Sequence, residues 1–134
     1  MLDIKSTTRV ASIPVNIVHI AGDIDSSNFQ TFQSFLDDQV ANGSRHFILN
    51  FKNVNRISSA GLRVIHNLFN KLRELHKDVD DDELRKRMST GIYKSPYLKV
   101  VNLSAAVEEV FRLGGFDIYI EIFQDEEQAV NSCH

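Results

Sequence analysis

Between Phe51 and Leu72 the apolar residues change their repeat, and few architectures accommodate that change. His46–Phe51 is a short, β-rich apolar run of the kind that forms a buried strand. After a polar stretch, Leu62, Ile65, Phe69 and Leu72 recur at three- and four-residue spacing, the pattern of a helix with one face toward a core. The helix opens on Ser58-Ser59-Ala60-Gly61. The first N–H groups of a helix lack intrahelical partners and carry the positive end of its dipole. An exposed anionic group there gains about 0.3–1 kcal/mol, so a phosphate suits the position. A capping role explains one serine, Ser58. It leaves the second hydroxyl unexplained, and also Gly61, because glycine in a helix costs about 0.5–1 kcal/mol relative to alanine. A small residue there implies that something comes close.

The remaining segments extend the same alternation. Leu2–Val10 reads as a half-exposed edge strand, and Pro14, which cannot donate to a ladder, suits the start of the next strand, Val15–Ala21. Gly22-Asp-Ile-Asp25 closes that strand. Ser27 and Gln30 have capping-box spacing before a helix lined by Phe29, Phe32, Leu36 and Val40, and Asn42-Gly43 ends it as a left-handed C-cap. Lys77–Arg87 carries Asp78, Asp80, Asp81, Asp82 and Glu83 followed by Arg85, Lys86 and Arg87, which reads as a solvated connection with at most a short helical turn. Tyr97–Leu103 is another strand. Ser104 caps a helix with Val107, Val110 and Phe111 inward, ended by Gly114-Gly115. Phe116–Phe123 is the last strand, and Asp125-Glu-Glu opens a final helix.

The order is strand, strand, helix, strand, helix, strand, helix, strand, helix. It predicts an α/β fold: a mixed, mostly parallel sheet with an antiparallel edge strand, covered by about four helices, in one domain spanning residues 1–134. A net charge of −3 and a pI near 5.9 give no electrostatic case for nucleic acid or an anionic membrane as main partner. No apolar segment reaches the roughly 18–20 residues of a membrane span, and the first residues lack a signal-peptide pattern, so a soluble, cytoplasmic protein is expected. The single Cys133, near the C-terminus, reads as incidental and mobile.

Catalytic and metal chemistry find little footing. Histidines 19, 46, 66, 76 and 134 lack ligand spacing, the acidic run lacks the spacing and central glycine of an EF-hand loop, and no Gly-rich phosphate loop is present. Ile57-Ser58-Ser59-Ala60-Gly61 is not a nucleophile elbow, since the glycine two residues before the serine is missing. A phospho-acceptor aspartate site of the receiver kind has an acidic pair in Asp23 and Asp25, but the following strand carries Asn50 and no lysine follows the last strand. Neither enzyme, metal site nor cofactor is expected.

The segments AGDID, ILNFKNVNRISSAGLRVI, LKVVNLSAAVEEVFRLGGFDIYIEIF and DEEQAV together resemble the STAS domain, the family of bacterial anti-sigma factor antagonists. The resemblance covers essentially the whole chain and is most specific at Ser59, Gly61 and Leu62, supported by the Gly22/Asp25 turn and by Gly114-Gly115. It implies a binding switch. In the family the hydroxyl heading this helix is phosphorylated by a serine kinase that is itself the anti-sigma factor or a relative, and a serine phosphatase is the implied counterpart. Alignment on Gly61-Leu62 places the acceptor at Ser59. Ser58, which stands where many members have aspartate, is the alternative. Asp23, Asp25 and Asn50 match polar positions around the site in relatives, so partner binding is expected at Asp23, Asp25, Asn50, Ser58, Ala60 and Gly61. The resemblance also admits an unswitched interaction module, such as a signalling scaffold or the soluble subunit of a transporter. The charged connection around residues 77–96 is longer than the family pattern.

Overall fold

The computed structural model describes residues 2–77, 81–90 and 93–133. Strands β1 (Asp3–Val10), β2 (Pro14–Ala21), β3 (Phe47–Asn53), β4 (Leu98–Val101) and β5 (Glu121–Phe123) form one sheet in the order β1-β2-β3-β4-β5. The β1–β2 pair is antiparallel and the other three pairings are parallel. Helices α1 (Phe29–Ala41), α2 (Ser59–Leu75), α3 (Asp81–Ser89), α4 (Ala105–Leu113) and α5 (Glu126–Asn131) join them. The expected mixed sheet with an antiparallel edge is therefore present, with five described α-helices rather than about four.

Strand alternation divides the core between the two faces of the sheet. Val18, Ile20, Phe47, Leu49, Phe51, Leu98 and Val100 face one side and pack with Phe32, Leu36, Leu62, Ile65, Phe69, Leu72, Val107 and Phe111 from α1, α2 and α4. Val15, Ile17, Ile48 and Val101 face the other, under Ala129, Val130 and Cys133 of the α5 segment. The middle strands are thus buried on both faces, which is why they read as continuous apolar runs. Each fully buried Phe or Leu contributes about 1.5–3 kcal/mol, so Phe32, Phe47, Phe51, Phe69 and Phe111 dominate the first face.

Several expectations need correction. Helix α1 begins at Phe29 with Asn28 as its N-cap, and Ser27 bonds Asp25 instead of closing a capping box. Its end does match: Gly43 has φ +104°, with Gly43 N–H donating to Val40 O and Ser44 N–H to Gln39 O, the paired bonds of a Schellman motif. Val110 is not inward, being 36% exposed, while Val107 and Phe111 are buried. The run Phe116–Phe123 is not one strand: Phe116–Ile118 is a 3₁₀ turn and pairing starts at Glu121. Positions 81–89 form a nine-residue helix, anchored by buried Leu84, where only a short turn was expected. Asp78 and Asp80 of the acidic run, and His134, lie outside the described residues. Cys133 is not an incidental tail residue, since it is buried with its Sγ 3.4 Å from Ala129 O.

Candidate functional site

Two loops leave the carboxyl ends of β2 and β3 side by side, and backbone bonds zip them together. Gly22 N–H donates to Asn53 O at 3.0 Å, Ile24 N–H to Arg56 O at 3.0 Å, and Ser58 N–H to Ile24 O at 2.8 Å. Ile24 and Ile57 form a parallel bridge, with both side chains in the core along with Val54. Gly22 has φ +116°, a left-handed conformation that lets the chain turn out of β2 into this pairing. Because Ile24 points inward, its neighbours Asp23 and Asp25 are exposed beside the head of α2.

The two serines divide their work. Ser58 is the N-cap, in extended conformation, and its Oγ accepts from Gly61 N–H at 3.4 Å while its carbonyl accepts from Leu62 N–H at 3.0 Å. Ser59 is the first helical residue and is exposed; Ala60 is half-buried. Gly61 is buried, and the close approach that its smallness signals comes from within the molecule: a Cβ there would lie 2.7 Å from Ile24 Cγ2 and 2.7 Å from Ile57 Cγ1. The glycine lets α2 sit down on the bridge that joins the two loops. Arg63 is exposed four residues after Ser59, on the same helix face.

The acidic loop is ordered by Asn28, the N-cap of α1. Asn28 Nδ2 donates to Asp23 O at 2.8 Å, and Asp25 N–H donates to Asn28 Oδ1 at 2.9 Å. The Ser27 hydroxyl and backbone N–H both donate to Asp25 Oδ1, and together they hold the Asp25 carboxyl below its usual range. An Asn directly before the apolar repeat of α1 is a sequence signal that could have identified this clasp.

Asn50 is not brought to the Ser59 face. It lies on β3 two residues from Ile48, so its side chain falls on the α5 side of the sheet. There Asn50 Nδ2 donates to Glu126 Oε1 at 3.3 Å, and Asn50 Oδ1 accepts from Asn102 Nδ2 at 3.1 Å and from Lys52 N–H at 3.0 Å. Glu126 in turn pairs with Arg9 of β1 at 3.4 Å. Of the six residues expected to bind a partner, Asp23, Asp25, Ser58 and Ala60 thus share one surface with Ser59, Gly61 lies beneath it, and Asn50 belongs to a polar cluster on the opposite face.

His46, His66 and His76 pack against aromatic neighbours. His66 Nδ1 lies 3.0 Å from Tyr119 Oη and His66 Nε2 lies 3.0 Å from Asn70 Nδ2; burial of its inner edge, then the charge of Arg73, lower its pKa. His76 stacks on Tyr97 at 3.6 Å and donates from Nε2 to Arg45 O, with the His46 ring edge-on to both. Among the described residues, no group of three or more His, Cys, Asp or Glu side chains could hold a metal ion. No helix among them is long and apolar enough to cross a membrane.

The sequence model of the STAS domain matches residues 4–79. No curated protein sequence matches the chain. Solved structures share its fold at low identity. A candidate anti-sigma factor antagonist of Thermotoga maritima is 19% identical with a TM-score of 0.71, over 96% of this chain and 93% of that one. An anti-sigma factor antagonist of Mycobacterium paratuberculosis is 15% identical with a TM-score of 0.69, over 98% and 94%. The Bacillus antagonist SpoIIAA in its unphosphorylated form is 14% identical with a TM-score of 0.66, over 95% and 94%. At such identities the likeness is one of fold, but the family match spans more than half of the chain and includes both loops and all of α2. The chain belongs to the STAS domain family.

Proposed function

We propose that this single domain is an anti-sigma factor antagonist that acts in the cytoplasm by binding rather than by catalysis. Its surface around Ser59, with Asp23, Asp25, Ser58 and Ala60, docks an anti-sigma factor that is also a serine kinase. Phosphorylation of Ser59 ends that binding, and a serine phosphatase restores it. The observation that carries the choice of Ser59 over Ser58 is their division of labour: Ser58 is engaged as the N-cap of α2, while Ser59 is exposed one residue on. Gly61, buried beneath that surface, contributes by seating the helix on Ile24 and Ile57.

The switch follows from charge. A phosphate adds about −1.5 to −2 charges and three acceptor oxygens. The N-terminus of α2 and Arg63 stabilise it in the free protein, while Asp23 and Asp25 oppose it. A surface matched to a neutral hydroxyl then meets desolvation and repulsion in the complex, and a few kcal/mol lowers affinity roughly hundredfold. The test is binding of the cognate anti-sigma factor by titration calorimetry. Ser59→Asp weakens it strongly and Ser59→Ala preserves it. Equal binding by both variants would instead assign the domain to the unswitched role, as a scaffold component or transporter subunit.

A further inference from the structure

We propose that β1 is a self-association edge, pairing antiparallel with β1 of a second copy to form one continuous sheet of ten strands. Strand β1 is the first in the sheet, bonded to β2 alone among the described strands, and six of its eight residues are exposed. Its outer row of N–H and C=O groups is a template for another strand. The side chains say which strand fits.

A two-fold axis perpendicular to the sheet keeps each face on its own side, so it pairs residues of equal parity. Three registers are available near the centre. One centred on Lys5 sets Lys5 against itself, and one centred on Thr7 sets Lys5 against Arg9; both place like charges directly opposite. The register centred on Ser6 sets Asp3 opposite Arg9 of the second copy, Lys5 opposite Thr7, Ile4 opposite Thr8, and Leu2 opposite Val10. It uses the whole strand, makes two symmetric opposite-charge pairs, and gives an apolar neighbour to Val10, which is 75% exposed. Arg9 reaches Glu126 and Glu127 through one guanidinium nitrogen, leaving the rest of its fork for a carboxylate across the edge. Beside the strand, half-buried Leu2, Ile4 and Phe35 line a groove between β1 and α1 that the second copy extends.

The arrangement reverses strand direction between the copies, so the two Ser59 surfaces point to opposite ends and both remain open. One strand pair with its flanking groove is a small interface, at the weak, transient end of the range.

Sedimentation equilibrium across a concentration series tests the proposal, with cross-linking of introduced cysteines to read the register. The wild-type mass rises from 15.3 kDa toward twice that value with concentration. Asp3→Arg, which opposes arginines across the edge, raises the dissociation constant by about tenfold. Ser6→Cys sets two thiols directly opposite, at a Cα separation of about 4.5–5.5 Å that a disulfide can bridge, and forms a covalent dimer on mild oxidation. Thr8→Cys places its thiols about 13 Å apart along the strands and forms no disulfide-linked dimer. The native Cys133 is buried and does not compete. A constant 15.3 kDa mass up to about 1 mM, outside the affinities of even weak specific pairs, overturns the proposal. So does association that Asp3→Arg leaves unchanged, which points to another surface. Equal cross-linking at Thr8 and Ser6 overturns the register and with it the argument.

Discussion

At the scale of single residues, the head of α2 is governed by Gly61 and by the clasp on Asp25. The atoms that crowd a Cβ at position 61 are Ile24 Cγ2 and Ile57 Cγ1, each attached directly to a β-branched Cβ that has little freedom to turn away. Gly61→Ala therefore loses about 1–3 kcal/mol to overpacking, against less than about 1 kcal/mol gained in helix propensity. The expected result is a lower urea midpoint and displaced amide shifts at Asp23–Asp25; unchanged stability would mean the bridge yields. Ser27→Ala removes the hydroxyl donor that most lowers the Asp25 carboxyl, so its pKa rises toward the ordinary carboxylate range. A carboxyl titration by NMR reads this directly, and a value no higher than wild type would remove Ser27 from the account. The residue types at Ser58, Ser59 and Gly61 were legible in the sequence because caps and glycines obey local rules. What lies nearest to Gly61 was not, because Ile24 is distant in the chain. The face on which Asn50 falls turns on a strand parity that a short apolar run does not display.

At the scale of elements, the reading succeeded where one periodicity ran long and failed where two constraints competed. Helix α2 has seventeen residues and a buried stripe from Leu62 to Leu72, so its face is unambiguous. Val110 of α4 shares the spacing of Val107 and Phe111, yet a nine-residue helix at the sheet margin has room to bury only Val107 and Phe111. The last strand is shortened because Phe116 and Tyr119 turn toward α2, ringing His66 and Phe69. Helix α3 was hidden by its charge, since Leu84 and Met88 are its only apolar residues. It stays docked through Leu84 and, beyond its end, Tyr93, whose ring meets Phe69 edge-on. Leu84→Ala should cost about 2 kcal/mol, the low end for buried leucines, because the site borders solvent. The cost should fall locally: amide exchange speeds up across α3 while β2, β3 and β4 keep their protection. Equal acceleration in the strands would show that α3 is part of the global folding unit.

At the scale of the whole molecule, the mixed topology was legible because consecutive strand–helix–strand units admit one handedness and short hairpins admit one pairing. The same packing fixes how stability responds to pH. His46 and His66 both have depressed pKa values, His46 from burial, then His76 and Lys99, and His66 from burial, then Arg73. A histidine that is harder to protonate in the fold than in the unfolded chain leaves the unfolded state with more bound protons. Its contribution is complete above the unfolded value of about 6.5 and is lost as pH falls through the lower folded values. The carboxyls of Asp25 and Glu127, also depressed, release theirs only at more acid pH, below the ordinary carboxylate range. At the alkaline end, burial raises Tyr119 to about 12, so its contribution is complete below about 10 and is lost between the two. Burial also raises the Cys133 thiol, whose contribution is lost as pH rises past the unfolded value of about 8.5, so urea midpoints should be level only from about pH 7.5 to 8 and decline below about 6.5. His66→Gln keeps a polar partner for Tyr119 and Asn70 without the titration, and it should shallow the acid decline by the share that His66 supplies. If the decline begins only near the carboxylate range, or is as steep in His66→Gln as in wild type, the contact between α2 and the Phe116–Tyr119 turn is not what sets the acid limit.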